Sequence, residues 1–483
     1  MANIIEELGT TLDEYLLVPG HIGRSTVLDV DIGSPLTACR KGEEPALKLP
    51  TALMSSPMQA VYSTGVNIEL AKLGGMAISN WSQPSQEQAA KRRRVKDYKA
   101  GFVKPDVVRP DMTIAELITL SDAKGYHTFP VTEDGTLGTR MVGIITSNDY
   151  HQSTHGAMTV GERMTPTDQI VFAYDTEIRN DLTIAQRMLI NHRRGNLPIL
   201  ATDGRISSIV FRKDIDHHTK NPNEFVDKNG RYMGGDAINT SDYAERAPQL
   251  VEAGTDFLYI VTSQAHSDYV KETLDFLKNE FPHIPAGAGN TVTADGFKFL
   301  VQNGAQCVGV GMGPGSICIT QEQIGVGMPQ ATAIRNVAAE RDRYTAETGI
   351  YVPIIADGGI NNPRRALVTY ALGADIVMGG RIFAGTEEGP SEKSTDGSKK
   401  AYWGEGSPRA RKWMEMRYGH SAFDEGVETW VPYVGRLNNH MGRFVYTIQD
   451  GSRKAGCMSI PELHNAALQR MSPSAIAEMR AMA

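Results

Sequence analysis

The sequence is poor in the features that announce membranes, export, metal clusters or nucleic acid. No stretch of the 483 residues approaches the roughly 18 consecutive apolar residues of a membrane span. Residues 1–8 carry no basic segment followed by an apolar one, so nothing marks export and a cytoplasmic location is expected. Cysteine is scarce: Cys39, Cys307, Cys318 and Cys457 lie far apart with no Cys-x-x-Cys pair. That spacing signals neither a zinc site nor a disulfide framework, and it leaves reduced thiols, most of them small core residues and one of them available as a nucleophile. Positive charge is short as well. With 49 Lys and Arg against 56 Asp and Glu the net charge is -7, and a pI near 6.0 argues against bulk nucleic-acid binding, which needs a basic face. The run Lys91, Arg92, Arg93, Arg94 is a local exception and reads as a solvated helix face or linker rather than a phosphate site.

What is present is an ordinary globular balance, 41% apolar and 22% charged, with a mean hydropathy of -0.30. At roughly 150 residues per domain the length suits two or three units, or one large barrel with an insert. The 48 glycines often end short apolar runs, where a backbone turns tightly or approaches a ligand. Eight such runs read as strands, at 52–55, 75–79, 232–238, 257–262, 284–288, 306–310, 352–356 and 374–378. Helical patterns such as 292–303 and 364–371 alternate with them, which predicts an α/β fold of the (β/α)₈ barrel type. The gap between the second and third strands is too long for one crossover helix. The expected division is barrel at 1–100, inserted domain at 101–218, and the rest of the barrel with a C-terminal flap at 219–483.

Inside the gap the sequence repeats. The pattern at 128–135 and 142–149 is echoed at 196–204 and 208–214, with helices predicted upstream at 113–125 and 183–194. Each copy is a β-α-β-type module with an Asp-Gly turn, and two copies can bury their sheets against each other. The pair resembles a tandem of CBS modules, which implies a cleft for regulatory adenine or guanine nucleotides with Asp149 and Asp214 on ribose. Phe211 replaces the Thr or Ser usual in the second module, and a purely structural pair remains an open alternative.

The most informative stretch is Gly309-Val-Gly-Met-Gly-Pro-Gly-Ser-Ile-Cys-Ile-Thr320, directly after the sixth strand. Barrel enzymes work at the C-terminal ends of their strands. Clustered glycines let backbone groups converge on an ion there, Ser316 can donate to a phosphate oxygen, and Cys318 can act as a nucleophile. Ala356-Asp-Gly-Gly-Ile360 and Val377-Met-Gly-Gly-Arg381 follow the next two strands, the usual place of a phosphate cradle. Asp357 can accept from ribose hydroxyls, while the amides of Gly359, Gly379 and Gly380 face phosphate. Beyond the barrel, residues 401–413, 416–419 and 423–427 are too polar and Gly-rich for core and long enough for a mobile lid.

With Leu12-Asp-Glu-Tyr-Leu-Leu-Val-Pro19, Gly313-Pro-Gly-Ser-Ile-Cys318, Asp357-Gly-Gly-Ile360 and Tyr402-Trp-Gly-Glu-Gly-Ser407, the chain resembles the IMP dehydrogenase/GMP reductase family over nearly its whole length. The resemblance implies oxidation of IMP to XMP with NAD⁺ through a thioimidate on Cys318, then hydrolysis promoted by Arg417-Tyr418 of the flap and by Thr320. Ser56, Met58, Asn290, Ser316, Asp357, Gly359, Gly379, Gly380 and Tyr402 match contacts to the nucleotide. The backbone of Glu405 and Gly406 and the side chain of Glu425 match contacts to the base. Val261, Thr262, Ser263, Gly311 and Gly313 fall at the dinucleotide site. Carbonyls of Gly313, Gly315 and Cys318 match a potassium site. Tetramers, joined into octamers by the insert, are also implied. Two departures stand out: Val261 replaces an Asp that helps to hold the nicotinamide riboside, and Gly309 stands where a basic residue is common. GMP reductase, a related purine-nucleotide oxidoreductase, or a regulatory paralogue that has lost turnover are the alternatives.

Overall fold

The computed structural model describes residues 4–98, 101–124, 126–179, 181–212, 215, 223–412 and 424–481. The chain divides into two compact units, one of Met1–Lys96, Asn223–Asp227 and Tyr232–Ala483, the other of Asp97–Pro222 and Lys228–Arg231.

In the larger unit eight parallel strands close into a barrel in sequence order. They are β1 (Leu53–Ser55), β2 (Met76–Ser79), β3 (Gly235–Ile238), β4 (Phe257–Val261), β5 (Ala286–Thr291), β6 (Val308–Val310), β7 (Ile354–Asp357) and β8 (Ile376–Gly379). Every residue of β2, β3, β6 and β8 is buried, as expected of parallel strands covered on both faces, and this is why unbroken apolar runs mark them. β5 is displaced furthest from its expected place, falling at 286–291 rather than 284–288. Its sequence Ala-Gly-Ala-Gly-Asn-Thr lacks the branched side chains that announce a strand, and its register with β6 shifts between Ala288 and Thr291.

The surrounding helices are α1 (Thr64–Lys72), α2 (Ser85–Lys96), α3 (Tyr243–Glu252), α4 (Asp268–Glu280), α5 (Ala294–Gln302), α6 (Gln330–Thr348), α7 (Pro363–Ala371) and α8 (Leu437–Lys454). Their starts carry local signals. Ser63, Thr293 and Asn362 accept from the amides of Val66, Gly296 and Arg365, satisfying donors that a helix leaves open. The basic run lies in α2 and is not a solvated face. Arg92 is fully buried, pairing with Asp236 of β3 at 2.8 Å, while Gln88 and Lys96, four residues either side, are buried on the same face. Arg93 and Arg94 alone remain exposed.

The smaller unit holds two similar halves. One has helix Ile114–Lys124 with strands Thr128–Thr132, Met141–Thr146 and Thr165–Pro166; the other has helix Leu182–Asn191 with strands Ala173–Tyr174, Asn196–Leu200 and Ile206–Phe211. Met141 and Ile144 of the first share one apolar cluster with Leu200, Ile206 and Ile209 of the second, and Phe211 packs on it. Phe211 is thus held by packing. Asp149 accepts from the amide and hydroxyl of Thr146 at 2.6 and 2.9 Å; Asp214 lies outside the described residues.

After β8, strand Lys399–Trp403 pairs antiparallel with Glu428–Pro432, from Lys399 opposite Pro432 to Trp403 opposite Glu428. This hairpin carries the expected flap, of which residues 413–423 lie outside the described residues.

Candidate active site

The C-terminal strand ends open into a cavity of about 450 Å³, within the range of small-ligand sites. Ser56 and Met58 enter it after β1, Val261, Thr262 and Ser263 from the end of β4, and Asn290 from β5. The loop after β6 contributes Gly311, Gly313, Gly315, Ser316, Cys318 and Thr320. Asp357 and Gly359 come from β7, Gly379 and Gly380 from β8, and Tyr402, Glu405, Gly406 and Glu425 from the C-terminal segment. The closed barrel thus assembles groups that are far apart in the sequence of the larger unit. Arg417 and Tyr418 fall outside the described residues.

Cys318 is the one cysteine that borders the cavity; burial raises the thiols of Cys307, Cys39 and Cys457. Its sulfur lies 3.2 Å from the Thr320 hydroxyl, which in turn donates to Glu425 Oε2 at 3.4 Å. The backbone fixes this line of three groups. The Ile319 amide donates to the Glu425 carbonyl at 2.9 Å and that of Val427 to the Ile317 carbonyl at 3.0 Å, so the C-terminal segment is stitched to the cysteine loop. A thiol, a hydroxyl and a carboxylate in sequence can pass a proton away from a reacting sulfur or from water.

Asp357 is set deep at the cavity floor, where burial raises its carboxyl above the usual range against bonds from Asn290 and Ser56. Those donors stand 3.2 and 3.3 Å away. A carboxylate with neutral donors only has acceptor capacity left for a diol. The loop after β6 reaches this floor because Gly311 has φ +152° and a side chain there would lie 2.1 Å from the Asp357 carbonyl. Gln330 Nε2 ties both elements together, donating to the Val310 and Asp357 carbonyls at 3.0 Å each.

A model of the IMP dehydrogenase/GMP reductase domain matches residues 9–481. Inosine-5'-monophosphate dehydrogenase of Tritrichomonas foetus is 39% identical over 480 residues, covering 97% of this chain and 94% of that protein. The enzyme of the same name from Aquifex aeolicus is 33% identical, covering 95% and 92%. Among solved structures, a cysteine-to-alanine variant of GMP reductase from Trypanosoma brucei, in complex with guanosine 5'-monophosphate, has a TM-score of 0.82 at 28% identity and covers 98% of this chain and 97% of that one. The chain belongs to the IMP dehydrogenase/GMP reductase family.

Its two departures from the family pattern have different structural settings. At Val261 the side chain offers no acceptor, while the neighbouring Thr262 hydroxyl spends its proton on the Gly289 carbonyl at 3.0 Å and keeps its oxygen lone pairs. Ser263 is exposed and lines the cavity with Thr262, so either hydroxyl can accept there; exposed His266 instead packs its ring on Phe299, centroids 4.7 Å apart. At Gly309 a basic side chain has no room, because even a Cβ would lie 1.9 Å from the Tyr259 hydroxyl. Tyr259, itself buried, has taken the space. Gly309→Lys is therefore expected to lose about 1 to 3 kcal/mol through overpacking, read as a lowered denaturant midpoint; an unchanged midpoint would show that Tyr259 yields freely.

Sequence reasoning passed over Trp81, Arg365, Arg381 and Arg411, which also line the cavity. Arg381 follows the Gly379-Gly380 pair directly, and a cation beside the expected phosphate cradle was the signal available for it. Arg365 is committed to Asp13 at 2.6 Å and to the Gly359 carbonyl at 2.7 Å, holding the β7 loop in place. No described helix is long and apolar enough to cross a membrane, and no cluster of His, Cys, Asp and Glu among the described residues could hold a metal ion.

Proposed function

We propose that this chain oxidises IMP to XMP with NAD⁺. The observation that carries the reading is Cys318 at the mouth of a (β/α)₈ barrel, 3.2 Å from Thr320 and facing a cavity lined by Asp357 and the Gly379-Gly380 turn. Asp357 accepts from the ribose hydroxyls, and the amides after β8 with Arg381 hold the phosphate, which sets C2 of the purine at the sulfur. The Cys318 thiolate forms a bond to C2, and the hydride displaced from C2 is taken by NAD⁺, leaving a thioimidate. Water then adds to C2, the C–S bond breaks, and XMP leaves with the thiol restored. Covalent attachment divides one difficult oxidation into two easier steps. Thr320 and Glu425 accept the proton of that water, with Arg417 and Tyr418 as further activators.

The loop from Gly313 to Cys318 also suits a potassium ion. It offers carbonyl oxygens and no carboxylate, a donor set that replaces the hydration shell of a large monovalent cation, and the Gly315 carbonyl accepts from the Cys318 amide at 3.2 Å, leaving its second lone pair open. Nucleotide binding by the paired modules of the smaller unit, and assembly into tetramers or octamers, belong to the same reading.

The test is the near-ultraviolet absorbance of NADH on mixing protein, IMP, NAD⁺ and potassium, with XMP identified as product. Formation of both supports the dehydrogenase. Silence there, with IMP appearing from GMP and NADPH, would make the chain a reductase, the activity that the name of its Trypanosoma brucei structural relative carries.

A further inference from the structure

Glu405 borders the cavity, yet its side chain has no part in the chemistry above. Its carboxyl lies deep among protein atoms and takes hydrogen bonds from two places outside its own segment: the Gln59 amide donates to Oε1 and the Ser82 hydroxyl to Oε2. Gln59 follows β1 and Ser82 follows β2. The side chain of Gln59 completes the knot, donating to the Ser82 and Ala410 carbonyls at 2.9 and 3.3 Å and accepting from Trp403 Nε1 at 3.3 Å. Ser82 in turn accepts from Asn80 Nδ2 at 3.0 Å. Residues 403–410 are therefore fastened to two barrel loops, with one carboxyl at the centre of the fastening.

Among the described residues no cation bonds to that carboxyl. On its own segment Arg409 is held by Glu392 at 2.8 Å and stacks over Trp403 at 3.7 Å, while Arg411 lines the same cavity. On α2, Lys91 is engaged by Gln83 at 2.6 Å and Glu87 at 2.9 Å. Across the cavity stand Asp357, Glu425 and Cys318. The two donors are neutral, so their hold on the carboxyl depends on its charge: bonds to an ionised acceptor are roughly twice as strong as neutral ones. A proton on Oε2 would also turn the Ser82 hydroxyl from donor to acceptor, a role it already fills for Asn80.

We propose that Glu405 is a positioning residue for the purine base: as a carboxylate it draws the 404–406 backbone against the loops after β1 and β2, and on protonation that hold loosens. The inference rests on the proposed function in taking this backbone as the wall that meets the base. Burial pushes the carboxyl up to about 7, against the bonds from Ser82 and Gln59, so the hold changes across ordinary working pH. The sign follows directly. Below that value the group is protonated and nucleotide binding weakens; above it binding is full.

The test compares KM for IMP and kcat from about pH 6 to about pH 8.5 in the wild type, Glu405→Gln and Ser82→Ala. IMP's own phosphate titrates alike in all three, so the differences carry the result. In the wild type KM should rise several-fold as pH falls through 7, with kcat little changed. Glu405→Gln, nearly isosteric, should remove that limb. Ser82→Ala should move it to higher pH, since it deletes a bond that favours the carboxylate. A Glu405→Gln profile that keeps the wild-type limb, or a Ser82→Ala limb at the wild-type midpoint, overturns the proposal. Wild-type turnover at high pH tests the proposed function separately; without turnover, calorimetric titration with IMP and with GMP over the same range reads the same limb.

Discussion

Replacing Cys318 with alanine is expected to cut XMP formation at least about 1000-fold while leaving the protein folded and able to bind IMP. The size follows from the proposed role: removing a nucleophile would take away the covalent path itself, and losses of that order or greater are usual when one member of a reacting unit is deleted. The fold should tolerate the change, because Cys318 is half-buried and the hydroxyl of Thr320 is the neighbour its sulfur bonds. No other thiol can stand in. Cys307 is fully enclosed, and burial raises it as it raises Cys39 and Cys457, so the thiolate fraction of each is suppressed. Quenched reactions of the wild type should show one nucleotide adduct by mass spectrometry, on the peptide holding Cys318. Turnover within about tenfold of wild type in the alanine variant would sink the covalent step.

Asp236→Ala is expected to destabilise the barrel by about 3 to 5 kcal/mol. Asp236 and Arg92 are both fully buried. The guanidinium donates to Asp236 through Nε at 2.8 Å and Nη2 at 3.2 Å, and further to the Gly235 carbonyl at 2.6 Å and Asn67 Oδ1 at 3.1 Å. Removing the carboxylate strands a charge in the wall between α2 and β3, which costs far more than the pair contributes. The double variant Arg92→Met with Asp236→Leu should therefore be more stable than Asp236→Ala alone. Thermal melts that follow the barrel transition separately from the smaller unit will read this. A single variant that melts with the wild type would show that water or a neighbour neutralises Arg92.

These two cases mark what the sequence makes legible. Apart from β5, the β strands were readable because each is a largely buried apolar run closed by a turn, and the Cys318 loop because glycines concentrate where backbone groups must converge. Gly359, Gly379 and Gly380 could be placed beside Asp357 once strand order was clear, since a closed parallel barrel puts every strand's C-terminal end at one mouth. Arg92 was misread because four adjacent basic residues suggest water, although helical spacing aligns it with Gln88 and Lys96; its partner is remote in sequence, and no local pattern points to it. The Tyr259–Gly309 exclusion and the grip of Gln59 and Ser82 on Glu405 are hidden for the same reason. Each joins groups whose nearness exists only after the barrel has closed. Val261 shows the converse, a departure visible in sequence whose setting, with Thr262 donating to the Gly289 carbonyl, only the structure reveals.

The antiparallel stem of Lys399–Trp403 with Glu428–Pro432 has a further consequence for the segment it carries. The described ends of that segment, at Arg411 and Glu425, both stand beside the cavity, so any group carried between them would meet the site as a tethered reactant, at an effective concentration set by the chain between the anchors. Closure entropy grows only as the logarithm of loop length. Insertions within the loop should thus be borne with little change in rate, whereas a nick in the stem would turn an intramolecular encounter into a diffusional one.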